Sequence, residues 1–375
     1  MQALWSDSYK YAMWAEIERL VLASQAAAGV IPAEWAAQAA VRPAPSPQQV
    51  ADAERTHHHE MVGFLMAWGL PHVHIGVTSS DIIDLEQTTR MSLSSALLAS
   101  LAAALASTLD TKASQWAGSP GVARTHGQAA EQCDAAHLLV EHSCQLARAR
   151  ARFDAATCSL LEHAKLRGPT GNYAPPALTP QIEQGVLDRL GMAPAPSATQ
   201  LAPRDLVLAW AESCAALARA CHRIALQIRL DSQTGINDVL LTQRGQGSSS
   251  MPHKNNPVEA EQVCGLAGLV ATLANGLQPV TLTWGHRDLS NSSVERVTLP
   301  LLATLTEAVL TSTMSALGRV TPNHASGAPD SNRHMMSAQL QGVPYFEARS
   351  WPHTETPPAP PVGWLPALLA QNKER

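Results

Sequence analysis

Apolar residues recur along most of this chain at intervals of three and four, the spacing that puts them on one face of an α-helix. Trp14, Ile17, Leu20, Val21 and Ala28 form the first such face. Its helix starts near Ser6 or Asp7, where a side-chain oxygen can accept from the unpaired N–H groups of the first turn, and Gly29 and Pro32 end it. "PAPS" (43–46) marks a connection, and a second helix starts at Pro47 and continues through "HHHEMVGFLMAWG". "HVHIGVTSSD" (72–81) is poor in helix formers and reads as a turn. Long helices then cover about 81–115, 128–166, 203–232, 257–277 and 292–317. The 203–232 segment is the most regular, with Leu206, Ala209, Cys214, Leu217, Cys221, Ile224 and Ile228 on one side. At 1.5 Å per residue it is about 45 Å long. Beyond Val320 the pattern decays, and Pro352, Pro357, Pro358, Pro360 and Pro361 predict an extended tail.

Helices of that length joined by Gly- and Ser-containing loops predict an all-α, elongated helical bundle. The expected divisions are an N-terminal helical domain over 1–80, a central long-helix bundle over 81–318 and a reduced, Pro-rich tail over 319–375. Broad apolar faces on long helices are hard to cover within one copy, which predicts a homo-oligomer. Composition agrees with this picture, since 45% of the 375 residues are hydrophobic and only 4% aromatic. Ala, Leu and Val therefore fill the core, and the aromatic enrichment that strands prefer is missing.

A net charge of −5, spread along the chain, leaves no basic stripe for nucleic acid. An anionic substrate therefore has to be met by local cations. The six cysteines fall inside expected helices without a CxxC pair, so neither a disulfide framework nor a zinc site is indicated. "MQALWSDSYK" is not a leader, and no later apolar run reads as long and uninterrupted enough to span a bilayer. A soluble protein of the reducing cytoplasm is expected.

Five polar segments stand out. "GSSSMPHKNNP" (247–257) reads as a solvated linker or as an anion-binding loop; the linker reading leaves Met251, Pro252 and Lys254 before a helix opening at Pro257 unexplained. In "ARTHGQAAEQ" (123–132), His126 is a cap, a core residue or a proton donor near neutrality. In "HVHIGVTSSD", Thr78, Ser79 and Ser80 offer hydroxyls and His74 a switchable donor, while Thr or Ser with Asp81 also makes an ordinary helix start. In "WGHRDLSNSSVER" (284–296), Arg287 and Arg296 bracket Ser292 and Ser293 and suit a carboxylate or phosphate. A capping box of Ser292 with Glu295 is compatible with that. The three histidines 57–59 point in different directions on a helix, so a shared metal is not expected.

Together these segments resemble the fumarase/aspartase superfamily of lyases, and within it the adenylosuccinate lyase branch. The signature GSSxMPxKxNP is matched at every defined position by Gly247, Ser248, Ser249, Met251, Pro252, Lys254, Asn256 and Pro257. "HIGVTSSD", "RTHGQAAE", "ATQLAPRD" (198–205) and "RDLSNSSVER" (287–296) follow in family order, and "GPTGNYA" (168–174) is similar to a further family segment.

The resemblance implies anti β-elimination of fumarate from a succinyl-amino compound, with no cofactor and no metal. Ser248 is implied as general base and His126 as general acid, the latter oriented by Glu261. Lys254 and Asn256 are implied to hold a succinyl carboxylate as it gains charge. Thr78 and Ser79 match positions on the succinyl part, and Thr125, Ser249 and Met251 belong to the same substrate-binding blocks. His59 and His74 match pocket histidines, Gln200 a substrate-binding glutamine, and Arg287, Ser292 and Arg296 the groups at the nucleotide end. The family also implies a homotetramer whose pockets each draw on three subunits, and a place in purine biosynthesis.

The chain departs from that pattern where the nucleotide binds. It lacks the Arg-Tyr pair that precedes the family's first helix, carries His58 where Arg is common, and has Gly285-His286 in place of His-Glu. The third helical domain is missing or reduced to about 319–375. The elimination machinery is matched, whereas the leaving group is open. Another succinyl-amine substrate, a related cyclisation and a non-catalytic oligomer are the alternatives.

Overall fold

The computed structural model describes residues 1–243, 250–251 and 253–326. In chain order its elements are α1 (Asp7–Ala27), α2 (Ala33–Val41), α3 (Pro47–His57), α4 (Glu60–Trp68), α5 (Ser79–Trp116), β1 (Pro120–Thr125), β2 (Gln128–Asp134), α6 (His137–Leu161), α7 (Pro180–Leu190), α8 (Arg204–Asp231), β3 (Val239–Leu241), α9 (Val258–Asn275), α10 (Ser290–Gly318) and β4 (Val320–Pro322). The helical fold class stands, with two small antiparallel ladders, β1–β2 and β3–β4, added to it. The described chain divides into two compact units. Unit 1 comprises Met1–Ser100, Arg150–Ala216 and Leu269–Glu307; unit 2 comprises Leu101–Ala149, Leu217–Gly268 and the described residues from Ala308 on. The expected tail falls almost wholly outside the described residues.

In unit 1, Ser6 caps α1 by accepting from the Tyr9 N–H, as expected. The buried face of α1 packs Trp14 edge-on against both Tyr11 and Phe64, with ring centroids 5.4 Å apart in each case. The single helix expected from Pro47 onward is two helices. His58 takes a left-handed conformation (φ 52°) that closes α3, and His59 caps α4 by accepting from the Val62 N–H. The chain turns there because α4 packs back on α3: a Cβ at Gly63 would lie 2.9 Å from the Glu54 backbone nitrogen. Two short helices, α2 and α7, were not anticipated. The signals for α7 were present, in Thr179 capping the Ile182 N–H, Pro180 in the first turn and Gly191 after the last.

Unit 1 also buries charge. Lys165 and Asp81 are fully buried and paired at 2.8 Å. Asp81 also accepts from the backbone N–H groups of Thr78 (2.9 Å), Arg167 (3.0 Å) and Gly168 (3.0 Å). Glu183 receives the Arg167 guanidinium at 2.9 Å and the Tyr173 hydroxyl at 2.6 Å. Removing either partner of such a pair leaves an uncompensated buried charge.

In unit 2 the segment expected to begin a long helix at Gln128 is instead the second strand of a hairpin. Thr125 faces Gln128, so His126 and Gly127 form a two-residue turn, both at positive φ (54° and 77°). That is the backbone of a type I′ hairpin, and His and Gly in sequence are suited to it. Cys133 accordingly sits in a strand, and all six cysteines are free thiols.

Among the described residues, three helices are by length and composition apolar enough to cross a bilayer, at Ser79–Trp116, Val258–Thr281 and Ser290–Gly318, which corrects the sequence reading on this point. The longest owes this to Ala, Ser and Leu over 92–109, a stretch with no charged side chain. Within one chain only 33–44% of these windows is buried, and Leu93, Leu269, Val297 and Leu301 stay exposed.

Candidate active site

Unit 1 holds a polar cavity of about 310 Å³ whose walls include Lys10, Glu60, Asp84, Glu86, Arg90, Arg204, Arg287, Ser292 and Arg296. Its floor is built around Arg204, which reaches Asp84 at 2.6 Å and Glu295 at 2.9 Å. Gln87 and Asn291 donate to Glu295 at 3.2 and 3.0 Å, and Arg287 in turn donates to Asn291 at 2.7 Å. Arg287 is thereby held on the wall by a neutral partner. Burial lowers its pKa, and the Asp84 carboxylate works against that. Arg296 contacts Ser292 Oγ at 3.5 Å and lies 4.0 Å from Glu60.

The cavity thus brings together Arg287, Ser292 and Arg296 as the sequence suggests. The Ser292–Glu295 capping box does not form, because α10 starts two residues earlier, where Asp288 accepts from the Ser290 N–H at 2.7 Å. Glu295 is drawn inward by Arg204 instead. The sequence reading missed the other lining groups. Lys10 pairs with Glu60 at 2.6 Å and Asp7 at 2.8 Å, and Arg90 pairs with Glu86. Burial pushes the Glu86 carboxyl up to about 7, against the pull of Arg90. Their signal was weak, since Glu86 and Arg90 read as an ordinary i,i+4 pair.

Elsewhere in unit 1, Thr78 and Ser79 stand at the start of α5, where Asp81 reaches back to the Thr78 N–H, so the helix-start reading holds beside any functional one. His74 lies in the preceding turn at φ 64°, with Nδ1 2.6 Å from Glu18. His59 is exposed at the α4 cap. Gln200 donates its amide to the Pro169 carbonyl at 3.0 Å, and a Cβ at Gly171 would lie 2.2 Å from the Ala198 carbonyl oxygen, so this loop needs glycine. None of these residues lines the cavity that holds Arg287.

The residues with implied chemical roles fall in unit 2. His126 is exposed at the hairpin tip, beside exposed Thr125. The hairpin is fixed to the body of the unit by a two-pronged contact of Arg124 with Asp238, at 2.6 and 3.1 Å. Lys254, Met251 and Glu261 are exposed and Asn256 half-buried, on the approach to α9 and its first turn. Ser248 and Ser249 lie outside the described residues. Within the chain no hydrogen bond or ion pair joins His126 to Glu261. Arg319, which sequence reading passed over, pins the signature segment by donating to the carbonyls of Thr242 (3.0 Å) and Asn256 (3.4 Å), to Asn255 (2.7 Å) and to Glu259 (2.5 Å). Among the described residues no three His, Cys, Asp or Glu side chains converge on a common point suited to a metal.

Residues 13–271 match a family model described as a lyase. An adenylosuccinate lyase from Synechocystis is 30% identical over 321 residues, covering 84% of this chain and 74% of that protein. One from Deinococcus radiodurans is 33% identical over 315 residues, covering 80% and 72%. Among solved structures, a fumarate lyase from Mesorhizobium superposes with a TM-score of 0.81 at 18% identity, covering 93% of this chain and 83% of that one. A 3-carboxy-cis,cis-muconate lactonizing enzyme from Pseudomonas putida superposes at 0.80 with 21% identity, covering 100% and 86%. At those identities the structures establish the fold alone.

Proposed function

This chain belongs to the lyase family of the fumarase/aspartase superfamily and is a lyase of the adenylosuccinate lyase kind, and from that premise we propose that it releases fumarate from adenylosuccinate or a closely related N-succinyl purine nucleotide. Ser248 removes the proton from the succinyl β-carbon. The C–H electron pair becomes the new C=C bond as the C–N bond on the opposite face breaks, and His126 protonates the departing nitrogen. Lys254 and Asn256 hold the carboxylate that gains charge after proton removal, the arrangement that commonly supplies the largest share of rate enhancement. Arg287, Ser292 and Arg296 take the nucleotide end. The enzyme is a soluble, cytoplasmic homotetramer.

The observation that supports this best is His126. It is held at positive φ and exposed on a hairpin tip, and among the described residues it has no hydrogen-bond or ion-pair partner. The type I′ turn itself calls for its left-handed backbone, so it is the exposure of the imidazole that offers it to a substrate. Lys254 and Glu261 are likewise exposed on unit 2, while Arg287, Ser292 and Arg296 belong to unit 1. Apolar side chains left exposed on α5, α9 and α10 support burial against further copies, so that sites are completed by residues from different subunits.

The test is incubation with adenylosuccinate and a coupled assay for fumarate. Stoichiometric fumarate and AMP are expected; no release from a well-folded protein overturns the reading. A second reading, elimination from a less anionic succinyl-amine, is favoured by the charge balance of the unit 1 cavity. There Lys10, Arg90 and Arg204 already face carboxylates and Arg296 lies 4.0 Å from Glu60, which leaves Arg287, held by the neutral Asn291, as the main cation to meet a phosphate. Arg287→Gln separates the two. For a nucleotide substrate KM rises about 10- to 100-fold with kcat little changed, the loss expected for one charge-assisted hydrogen bond. For a leaving group without phosphate, KM in steady-state assays stays within about twofold.

A further inference from the structure

Helix α1 places two polar side chains, Glu18 and Gln25, on its fully buried face, two turns apart and among Trp14, Ile17, Val21 and Leu22. Burying a carboxylate in an apolar core is costly unless its oxygens are fully used. Both oxygens of Glu18 go to a single residue in the turn before α5: Oε1 lies 2.6 Å from His74 Nδ1, and Oε2 accepts from the His74 backbone N–H at 3.1 Å. Gln25 holds the same turn, donating to the carbonyls of Ile75 (2.8 Å) and Ala177 (2.7 Å). The turn is one the chain does not adopt freely. His74 sits at φ 64° and Gly76 at φ 78°, where a Cβ would come within 2.8 Å of the Ala177 side chain. Two residues after Gly76 the turn delivers Thr78 to the start of α5.

We infer that Glu18 is a positioning residue for the reaction. It fixes His74 as the tautomer that carries its proton on Nδ1, leaving Nε2 as the ring atom offered to substrate, and with Gln25 it clamps the turn that presents His74, Thr78 and Ser79. A role confined to stability does not require both oxygens to be committed to one histidine, nor a single tautomer of it. The inference rests on the proposed elimination only for what His74 touches; the dyad and its tautomer stand on geometry alone.

Two measurements test it on the full-length protein. Nitrogen-15 NMR of the histidine rings in the wild-type protein, assigned with a His74→Gln variant, is expected to show His74 as the Nδ1–H form. A neutral His74 protonated on Nε2 overturns the proposal. In Glu18→Gln, which keeps the side chain's size, kcat for adenylosuccinate is expected to fall about 10- to 100-fold, as when the partner that orients a functional histidine is lost, with KM within about threefold. Glu18→Asp is expected to recover part of the loss. An unchanged kcat in a folded Glu18→Gln protein overturns the proposal. The tautomer is read on the wild-type chain, so a variant that fails to fold leaves that arm decisive. If wild-type protein does not turn over adenylosuccinate, the substrate reading fails and the NMR result still decides the role of Glu18.

Discussion

Replacing His126 by Asn is expected to reduce kcat for fumarate release by about 10²- to 10⁴-fold, the usual weight of a positioned proton donor, while the protein folds and assembles as before. Asn is the informative choice because position 126 sits at φ 54°, where Asn is tolerated and Ala strained. The side chain is exposed at the tip of β1–β2, so its loss opens no cavity. Ser248→Ala should cost a similar factor if that hydroxyl is the base. The two dead variants also test where the site is built. If acid and base meet from different chains, random 1:1 reassembly leaves about one site in four with both native groups, and activity returns on mixing. Mixed oligomers that form and remain inactive would rule out sharing, and near-normal turnover by either variant alone would remove that residue from the mechanism.

Four of the five long helices were legible in the sequence to within about two residues at each end, the exception being the one expected over 128–166. The segment expected at 203–232 is Arg204–Asp231, that at 257–277 is Val258–Asn275, and that at 292–317 is Ser290–Gly318. Over eight turns a 3.6-residue period repeats often enough to override any local exception. Short elements offer no such averaging. The run "QAAEQCDAA" is built from good helix formers and was read as helix, yet the His-Gly pair before it fixes a tight turn that folds Gln128–Asp134 back onto Pro120–Thr125. The break within 57–59 escaped for a related reason, since the packing that demands it lies at Gly63 and Glu54, not at the histidines.

Of the candidate site, local motifs were legible and long-range partners were not. Arg287, Ser292 and Arg296 share a cavity because they share a helix start. The groups that hold them there, Arg204 and Asp84, are about 120 residues apart in sequence, and no spacing rule connects such a pair. The same holds for Glu18 and His74. Buried polar networks are specified by tertiary contact, which makes them the part of a site that sequence reading sees last.

The largest stability effect is expected at Asp81. Its carboxylate compensates the fully buried Lys165 ammonium and accepts three backbone N–H groups, from the start of α5 and from Arg167 and Gly168. Asp81→Ala removes all four interactions and leaves a charge in the core that, among the described residues, faces only the Gln200 carbonyl. A loss of about 3–5 kcal/mol is expected, the range found when one partner of a buried pair is deleted, read as a lower urea midpoint at fixed protein concentration. Adding Lys165→Met to Asp81→Ala should recover a substantial part, because most of the penalty belongs to the stranded ammonium and not to the lost pair. If the double variant is as unstable as the single one, the backbone N–H groups carry the effect and Lys165 is a bystander. Either way Thr78 and Ser79 lose the carboxylate that orders their helix start, so fumarate release should fall even at temperatures where the Asp81→Ala protein remains folded.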